Sequence, residues 1–441
     1  MPYVTGFGTW PFGEEWLWEA IATCYLPLLD VLGRAPITLS LTPVLCDQLE
    51  EPGARERCLH FLRDVRQESH GRDLDGFRAT GQDVFVRELE RSAAEYAVAA
   101  ERLERLDHGL LAELGRHVSW TSSATHAVLP LLATDSGIAL QLESGIASHR
   151  RRFGRWAGGF WLPECGHAPW LHPLLEQAGA RFSCIELTSR WGAGDDRHLR
   201  PLRTEEGPVL FPIDREIIGL VWSQRGYPAH PAYRNYHGLT FHHHRVWRND
   251  GGAYDPAAAA NQVAEHARDF VTRVRGRVAS GGLCVCAVDT ELLGHWWYEG
   301  VHWLEAVIEE CGRQDLRLTK LDEEVLQRHP MAPAPANLEA SSWGEGGDLR
   351  TWSAPPVADF AWRARRAELE AAAAGRPPRR ALRELLALQS SDWAFLAFRG
   401  LAADYPKERA AGHFAVLMQA LEDGGDVSDE VRNLAPELSG W

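Results

Sequence analysis

Two carboxylates in this 441-residue chain stand where apolar runs end, each beside a cluster of aromatic residues. The first is Glu164, within Phe160-Trp161-Leu162-Pro163-Glu164-Cys165-Gly166-His167-Ala168-Pro169-Trp170. Pro163 and Pro169 bracket it in a turn, since proline fixes φ and lacks a backbone donor. The second is Asp289, within Val288-Asp289-Thr290-Glu291-Leu292-Leu293-Gly294-His295-Trp296-Trp297. A carboxylate beside flat indoles suits a sugar: the acid acts on the glycosidic bond while the rings cover the apolar sugar faces. A plainer reading makes Asp289 a helix N-cap and puts the tryptophans in the core.

The elements around these motifs set their positions. Residues 283–288 form an apolar run that reads as a buried strand delivering Asp289. After Glu164, residues 174–179 read as a helix stopped by glycine, and residues 182–185 as the next strand. Strand, carboxylate, helix, strand is the rhythm of a parallel α/β sheet, in which side chains at strand ends face a shared cleft. Further strands are expected at 36–41, 117–121 and 316–319, with one long solvated helical region over 85–115. Residues 186–254, rich in Gly, His and aromatics, read as irregular, and 256–274 as helix. After Trp352 the pattern turns helical, at 363–374, 378–388 and 408–421, with 389–393 returning to the cleft.

Composition narrows the partners. A formal net charge of −15 argues against nucleic acid, whose phosphates require a basic footprint. It fits a neutral polysaccharide, held by hydrogen bonds and stacking, and the 18 tryptophans exceed what a core of this size needs. The eight cysteines show no paired zinc spacing, and Cys284 and Cys286 read as buried thiols on one strand face. His242, His243 and His244 are consecutive and do not converge on one ion, so one or two of them, His244 included, are read as partners for sugar hydroxyls rather than metal ligands. No metal or organic cofactor is expected. With no secretory leader and no membrane-length apolar stretch, the expected location is a reducing cytoplasm.

The motifs WLPECGHAP (161–169) and VDTELLGHWWYEG (288–300) resemble the third and fourth signature regions of glycoside hydrolase family 57, within it most closely its 1,4-α-glucan branching enzymes. Residues 121–132 resemble the second region, and 211–223 the segment before the fourth. Ser342-Trp343-Gly344-Glu345-Gly346-Gly347, Trp352 and Gln389-Ser390-Ser391-Asp392-Trp393 resemble the closing motifs. The resemblance implies an α/β fold: a (β/α)7 barrel over 1–348, with an elaborated loop region at about 186–254, and an all-helical C-terminal domain over 349–441. It also implies retention of the α configuration. Glu164 would be the nucleophile and Asp289 the acid/base, with Trp222, His244, His295, Trp296, Trp343, Trp352, Asp392 and Trp393 binding an α-glucan. A low-dielectric site lined by Trp296 and Trp297 would keep Asp289 protonated.

The departures keep alternatives open. The chain opens Met1-Pro2-Tyr3-Val4, resembling the tail of the family's first signature. The natural protein is therefore expected to begin upstream, with about ten to fifteen further residues forming a first barrel strand that ends in His-x-His. Val118 stands where an acidic residue is usual, and no tyrosine lies between Tyr96 and Tyr227, where branching members carry a tyrosine-bearing loop. A branching transferase, an α-1,4-glucan hydrolase and a non-catalytic glucan-binding relative all remain compatible with the sequence.

Overall fold

The computed structural model describes residues 1–6, 12–424, 431, 433–438 and 441. Seven short strands form one sheet: β1 (Leu39–Ser40), β2 (Val118–Ser122), β3 (Gly159–Trp161), β4 (Phe182–Ile185), β5 (Leu202–Arg203), β6 (Val209–Pro212) and β7 (Ala332–Pro333). Their order is β1-β2-β3-β4-β6-β5-β7. The pairs from β1 to β6 are parallel, and β5 is antiparallel to β6 but parallel to β7. Helices cover the sheet, so β4 is buried along its whole length and reads as apolar rather than alternating. Trp120 on β2 sits opposite Gly159 on β3, and a Cβ on Gly159 would lie 2.1 Å from that indole. Glycine is what lets β3 close against β2.

The crossovers follow from local capping. The helix Asp135–Phe153 joins β2 to β3, and the Thr134 hydroxyl accepts from the Gly137 N–H at 3.0 Å at its start. The helix His172–Ala178 joins β3 to β4 and stops at Gly179, whose φ of 88° is left-handed. This is the glycine stop read in the sequence. The helix Pro256–Arg277 is capped by Asp255.

Four stretches differ from the expectation. The region 85–115 is two helices, Asp83–Arg105 and Gly109–Gly115, parted where Leu106 turns extended and Gly109 takes a φ of 77°. The segment 186–254 is not simply irregular: it contributes β5, β6 and the helix Arg215–Trp222. The apolar run behind β6, Val209-Leu210-Phe211, is too short to stand out in sequence, yet becomes buried by pairing with β4. Finally, 283–288 and 316–319 join no ladder among the described residues. The first is tied by single backbone bonds, from Leu283 N–H to Leu199 O and from Asp214 N–H to Val285 O, both 2.9 Å. A cavity of about 590 Å³, bounded by Leu39, Trp120, Cys184, Val285 and Leu318, separates these segments from β1 and β2. Cys286 is exposed and Cys284 half-buried, rather than both buried, because this cavity reaches both. The fold is a parallel-dominated barrel-type sheet, open on this side.

The chain then enters helices Ala358–Ala373, Arg379–Leu388, Ser391–Phe398 and Tyr405–Asp423. Their core, with Leu382, Leu385, Leu386 and Leu417, also takes in Tyr3, Val44, Ala124 and Leu140 from the barrel side. The buried Glu368 carboxylate fastens the two parts, accepting from Ala133 N–H at 3.0 Å, Thr134 N–H at 2.7 Å and the Thr134 hydroxyl at 2.6 Å. The helices are thus anchored on the segment that leads from β2 toward β3.

Candidate active site

Glu164 follows β3 and Pro163 with a left-handed φ of 60°, and Cys165 continues with 52°. Non-glycine residues hold such angles only where the surroundings over-determine them. Here His167 and Ser341 exchange both backbone bonds, at 2.8 and 2.9 Å, and Trp343 N–H donates to Glu164 O at 3.1 Å. The side chain is fixed as firmly. Trp343 Nε1–H donates to Glu164 Oε2 at 2.8 Å, and the Ser391 hydroxyl to Oε1 at 2.9 Å. His126 Nδ1 stands 2.8 Å from Ser391 Oγ and 3.7 Å from Glu164 Oε1.

Asp289 stands before the short turn Thr290–Leu292 at the end of 283–288. The loop beyond it rests on the π-helical turn Ile21–Tyr25. Gly294 has a φ of 97°, and a Cβ there would lie 2.0 Å from Thr23 O, so only glycine fits. From the same π turn, Tyr25 OH donates to Glu291 Oε1 and Cys24 Sγ to Thr290 O at 3.2 Å. π-helical turns often accompany functional sites, because the extra residue re-aims side chains.

Electrostatics separate the two carboxylates. Burial pushes Glu164 up to about 7, and the Trp343 and Ser391 hydrogen bonds oppose that by stabilising its anion. Burial, with the negative charges of Glu164 and Glu291, pushes Asp289 well above the usual carboxylate range. No donor side chain bonds the Asp289 carboxylate among the described residues. The pair therefore offers a carboxylate with a donor on each oxygen beside one whose proton is held more tightly than usual, an arrangement suited to double displacement at a glycosidic bond. Asp392 adds negative charge at the same place: its carboxylate accepts from the Ser390 hydroxyl at 3.1 Å and lies 3.6 Å from the Met1 ammonium.

An aromatic wall rises beside Glu164. Trp343 lies 5.0 Å from Trp161 between ring centres and stacks on Trp222 at 6.0 Å, with 23° between planes. Trp222 is 40% exposed, so this wall has a face open to a ligand.

The other expected site residues fall elsewhere. Trp352 is buried with Val128, Val357 and Ala394. Its ring lies under Gly344, where a Cβ would meet it at 2.7 Å, and so props the Trp343 segment rather than facing sugar. Trp393 is buried in the helical core, donating Nε1–H to Ala387 O at 2.8 Å. His244 is buried between Arg66, at 3.0 Å, and Ser69, at 3.1 Å, and its ring packs on His70. Its neighbour His242 pairs with Asp73 at 2.6 Å. His295, which accepts from Trp16 Nε1–H at 3.2 Å, and Trp296 line a separate cavity of about 750 Å³ with Tyr236 and Arg245. Trp297 is packed in the core against Tyr233 and Trp303 and does not line Asp289. In each case burial is decided by tertiary packing that spacing does not reveal.

His126, Ser391, Trp161 and Tyr25 belong to the site without having been singled out. The first three lie inside or beside recognisable motifs, whereas nothing in the sequence around Tyr25 connects it to Glu291. Trp352→Ala should cost about 3–5 kcal/mol of stability as a core truncation, whereas Trp222→Ala should leave the melt nearly unchanged and weaken glucan binding. Thermal melts beside a maltoheptaose titration check both; a large melting shift with unchanged affinity for Trp222→Ala would remove its stacking role.

The sequence profile described as glycosyl hydrolase family 57 matches residues 106–333, and one described as the C-terminal part of 1,4-alpha-glucan branching enzyme matches residues 359–435. The chain belongs to glycoside hydrolase family 57. It is 30% identical to a 1,4-alpha-glucan branching enzyme of Thermococcus kodakarensis, covering 94% of this chain and 70% of that one. It is 31% identical to a probable 1,4-alpha-glucan branching enzyme of Mycobacterium tuberculosis, over 94% of this chain and 88% of that one. The crystal structure of a branching enzyme of this family from Pyrococcus horikoshii superposes with a TM-score of 0.88 at 30% identity, covering 99% of this chain and 92% of that one. The Thermococcus alignment runs over 481 positions, more than the 441 residues here, so that relative carries insertions without counterpart in this chain.

Proposed function

We propose that this protein is a retaining 1,4-α-glucan branching enzyme, cutting an α-1,4 chain and rejoining it as an α-1,6 branch. The observation that carries the reading is the arrangement at the site: Glu164 with a donor on each oxygen, Asp289 with its proton affinity raised by burial and neighbouring negative charge, and the Trp161–Trp343–Trp222 wall beside Glu164. In this reading Glu164 attacks the anomeric carbon while Asp289 protonates the departing glycosidic oxygen. Asp289 then takes the proton of the incoming 6-hydroxyl as the glycosyl–Glu164 ester breaks. The relatives named as branching enzymes, similar along nearly the whole chain, support the transfer outcome.

The catalytic part is assigned to 1–348 and the helical part to 349–441, a division supported by the two profile matches. Asp392 and Ser391, carried by the second part, complete the first. The substrate is a neutral α-glucan such as amylose or a glycogen-like polymer, and the role is glycogen-type glucan synthesis. The eight unpaired thiols support a reducing cytoplasm as its place of action. No helix among the described residues is long and apolar enough to cross a membrane.

The lack of any tyrosine between Tyr96 and Tyr227 favours a second reading, hydrolysis, since transfer depends on covering the site against water. Incubation with amylose, counting α-1,6 linkages and new reducing ends separately, distinguishes them. Branching predicts that α-1,6 linkages rise well ahead of reducing ends. Reducing ends without α-1,6 linkages would establish the hydrolase reading instead.

A further inference from the structure

The nucleophile's mounting extends beyond the barrel. Glu164 receives its Oε2 donor from Trp343, but its Oε1 donor comes from Ser391, the first residue of a C-terminal helix. That hydroxyl has a single proton. If it is given to Glu164, then Ser391 Oγ is left as the acceptor toward His126 Nδ1, 2.8 Å away. Burial lowers His126 to about 4, so its ring is neutral near pH 7 and its one proton must sit on Nδ1 to complete the chain.

The backbone is arranged to hold this geometry. His126 has a left-handed φ of 60°, uncommon outside glycine though histidine, asparagine and aspartate take it more readily than other residues. Ser391 N–H donates to His126 O at 3.1 Å, and Ala127 and Ser390 form an antiparallel bridge. Two turns far apart in sequence are thus clasped by main-chain bonds, with their side chains meeting at Glu164. The charged and titratable groups acting on Glu164 are Asp289, Asp392 and the Met1 ammonium, with His126 at 3.7 Å. Among the described residues neither Asp289 nor Asp392 bonds Glu164, so its hydrogen-bonded orientation rests on Trp343 and Ser391.

We propose that Ser391 and His126 are positioning residues for the nucleophile: His126, in its Nδ1–H tautomer, holds the Ser391 hydroxyl so that its proton points at Glu164 Oε1. The helical C-terminal part thereby sets the orientation and charge of a carboxylate borne by the barrel. This rests on the reading of Glu164 as nucleophile, but not on whether the acceptor is a glucan or water.

The test uses the full chain with α-glucosyl fluoride, which needs little acid assistance, and compares Ser391→Ala, Ser391→Thr and His126→Asn. Ser391→Ala should lower kcat about 10- to 100-fold with KM changed by less than about twofold, the range for losing a bond to a charged group. Its acid limb should move to higher pH, because the Glu164 anion has lost a donor. Ser391→Thr should restore most of both, and His126→Asn, which tolerates the left-handed turn and keeps a donor, should fall between. In the resting protein, ¹⁵N spectra of labelled histidine, assigned by difference from His126→Asn, should show Nδ1 protonated. That spectrum is independent of activity, so it still decides the matter if Ser391→Ala fails to fold. A kcat for Ser391→Ala within twofold of the parent, equal losses for Ser391→Ala and Ser391→Thr, or an Nε2-protonated His126 would each overturn the proposal. A normal spectrum and normal variant pattern without any α-1,6 product would instead count against branching alone.

Discussion

Glu164→Gln should lower turnover on amylose by at least ~10³-fold while leaving the fold intact, because covalent catalysis is lost and side-chain size is kept. Trp343 Nε1–H can still donate to the amide oxygen, and the NH₂ group then faces Ser391 Oγ, a hydroxyl that can accept from it. Stability should not fall with activity. Burial raises Glu164 to about 7, so folding favours its protonated form. The stability this contributes is complete below the ordinary glutamate range and is lost as pH rises through about 7. At pH 8 the parent buries an anion that the variant lacks, so Glu164→Gln should melt at the same or a higher temperature. The parent's own rate should decline as pH falls below about 7, where Glu164 takes up a proton. A variant with substantial amylose turnover would show that another group is the nucleophile.

Asp289→Asn should be the second most damaging change, but selectively. Its proton is needed where the leaving group is a sugar hydroxyl, and general-acid assistance typically supplies ~10²–10⁴-fold. On α-glucosyl fluoride, whose leaving group needs little protonation, the first step should be nearly spared. The glycosyl-enzyme should then accumulate, because the same residue is the base that activates the acceptor. The pre-steady-state burst of fluoride release, set beside the first turnover on amylose, measures this directly. Equal losses on both substrates would mean that Asp289 supports the site without transferring a proton.

Both carboxylates stand out in the sequence because each ends an apolar run beside aromatics; the run before Glu164 includes strand β3, whereas the run before Asp289 joins no ladder among the described residues. Strand β4 and the glycine that stops the helix before it were legible for the same local reason. What surrounds the carboxylates was harder to read. Trp343 and Trp352 share one motif, yet one bonds Glu164 and the other lies beneath Gly344; only packing separates them. Trp393 and Asp392 are adjacent, but successive positions on a helix point different ways, so one enters the core and the other reaches the cleft. The consecutive histidines at 242–244 similarly gave no hint of Asp73 and Arg66, which take up His242 and His244. The segments at 283–288 and 316–319 carry strand-like sequences but join no ladder among the described residues, since ladder formation depends on neighbours rather than on the run itself.

Covalent trapping tests the central claim most directly. A 5-fluoro-α-glucosyl fluoride slows both chemical steps by destabilising the oxocarbenium-like transition state, while its good leaving group keeps the first step the faster. After incubation with the parent protein, intact mass should rise by one fluoroglucosyl group, and peptide mapping should place it on Glu164. A stable adduct on another residue, or turnover of the fluoride with inversion and no adduct, would contradict the account.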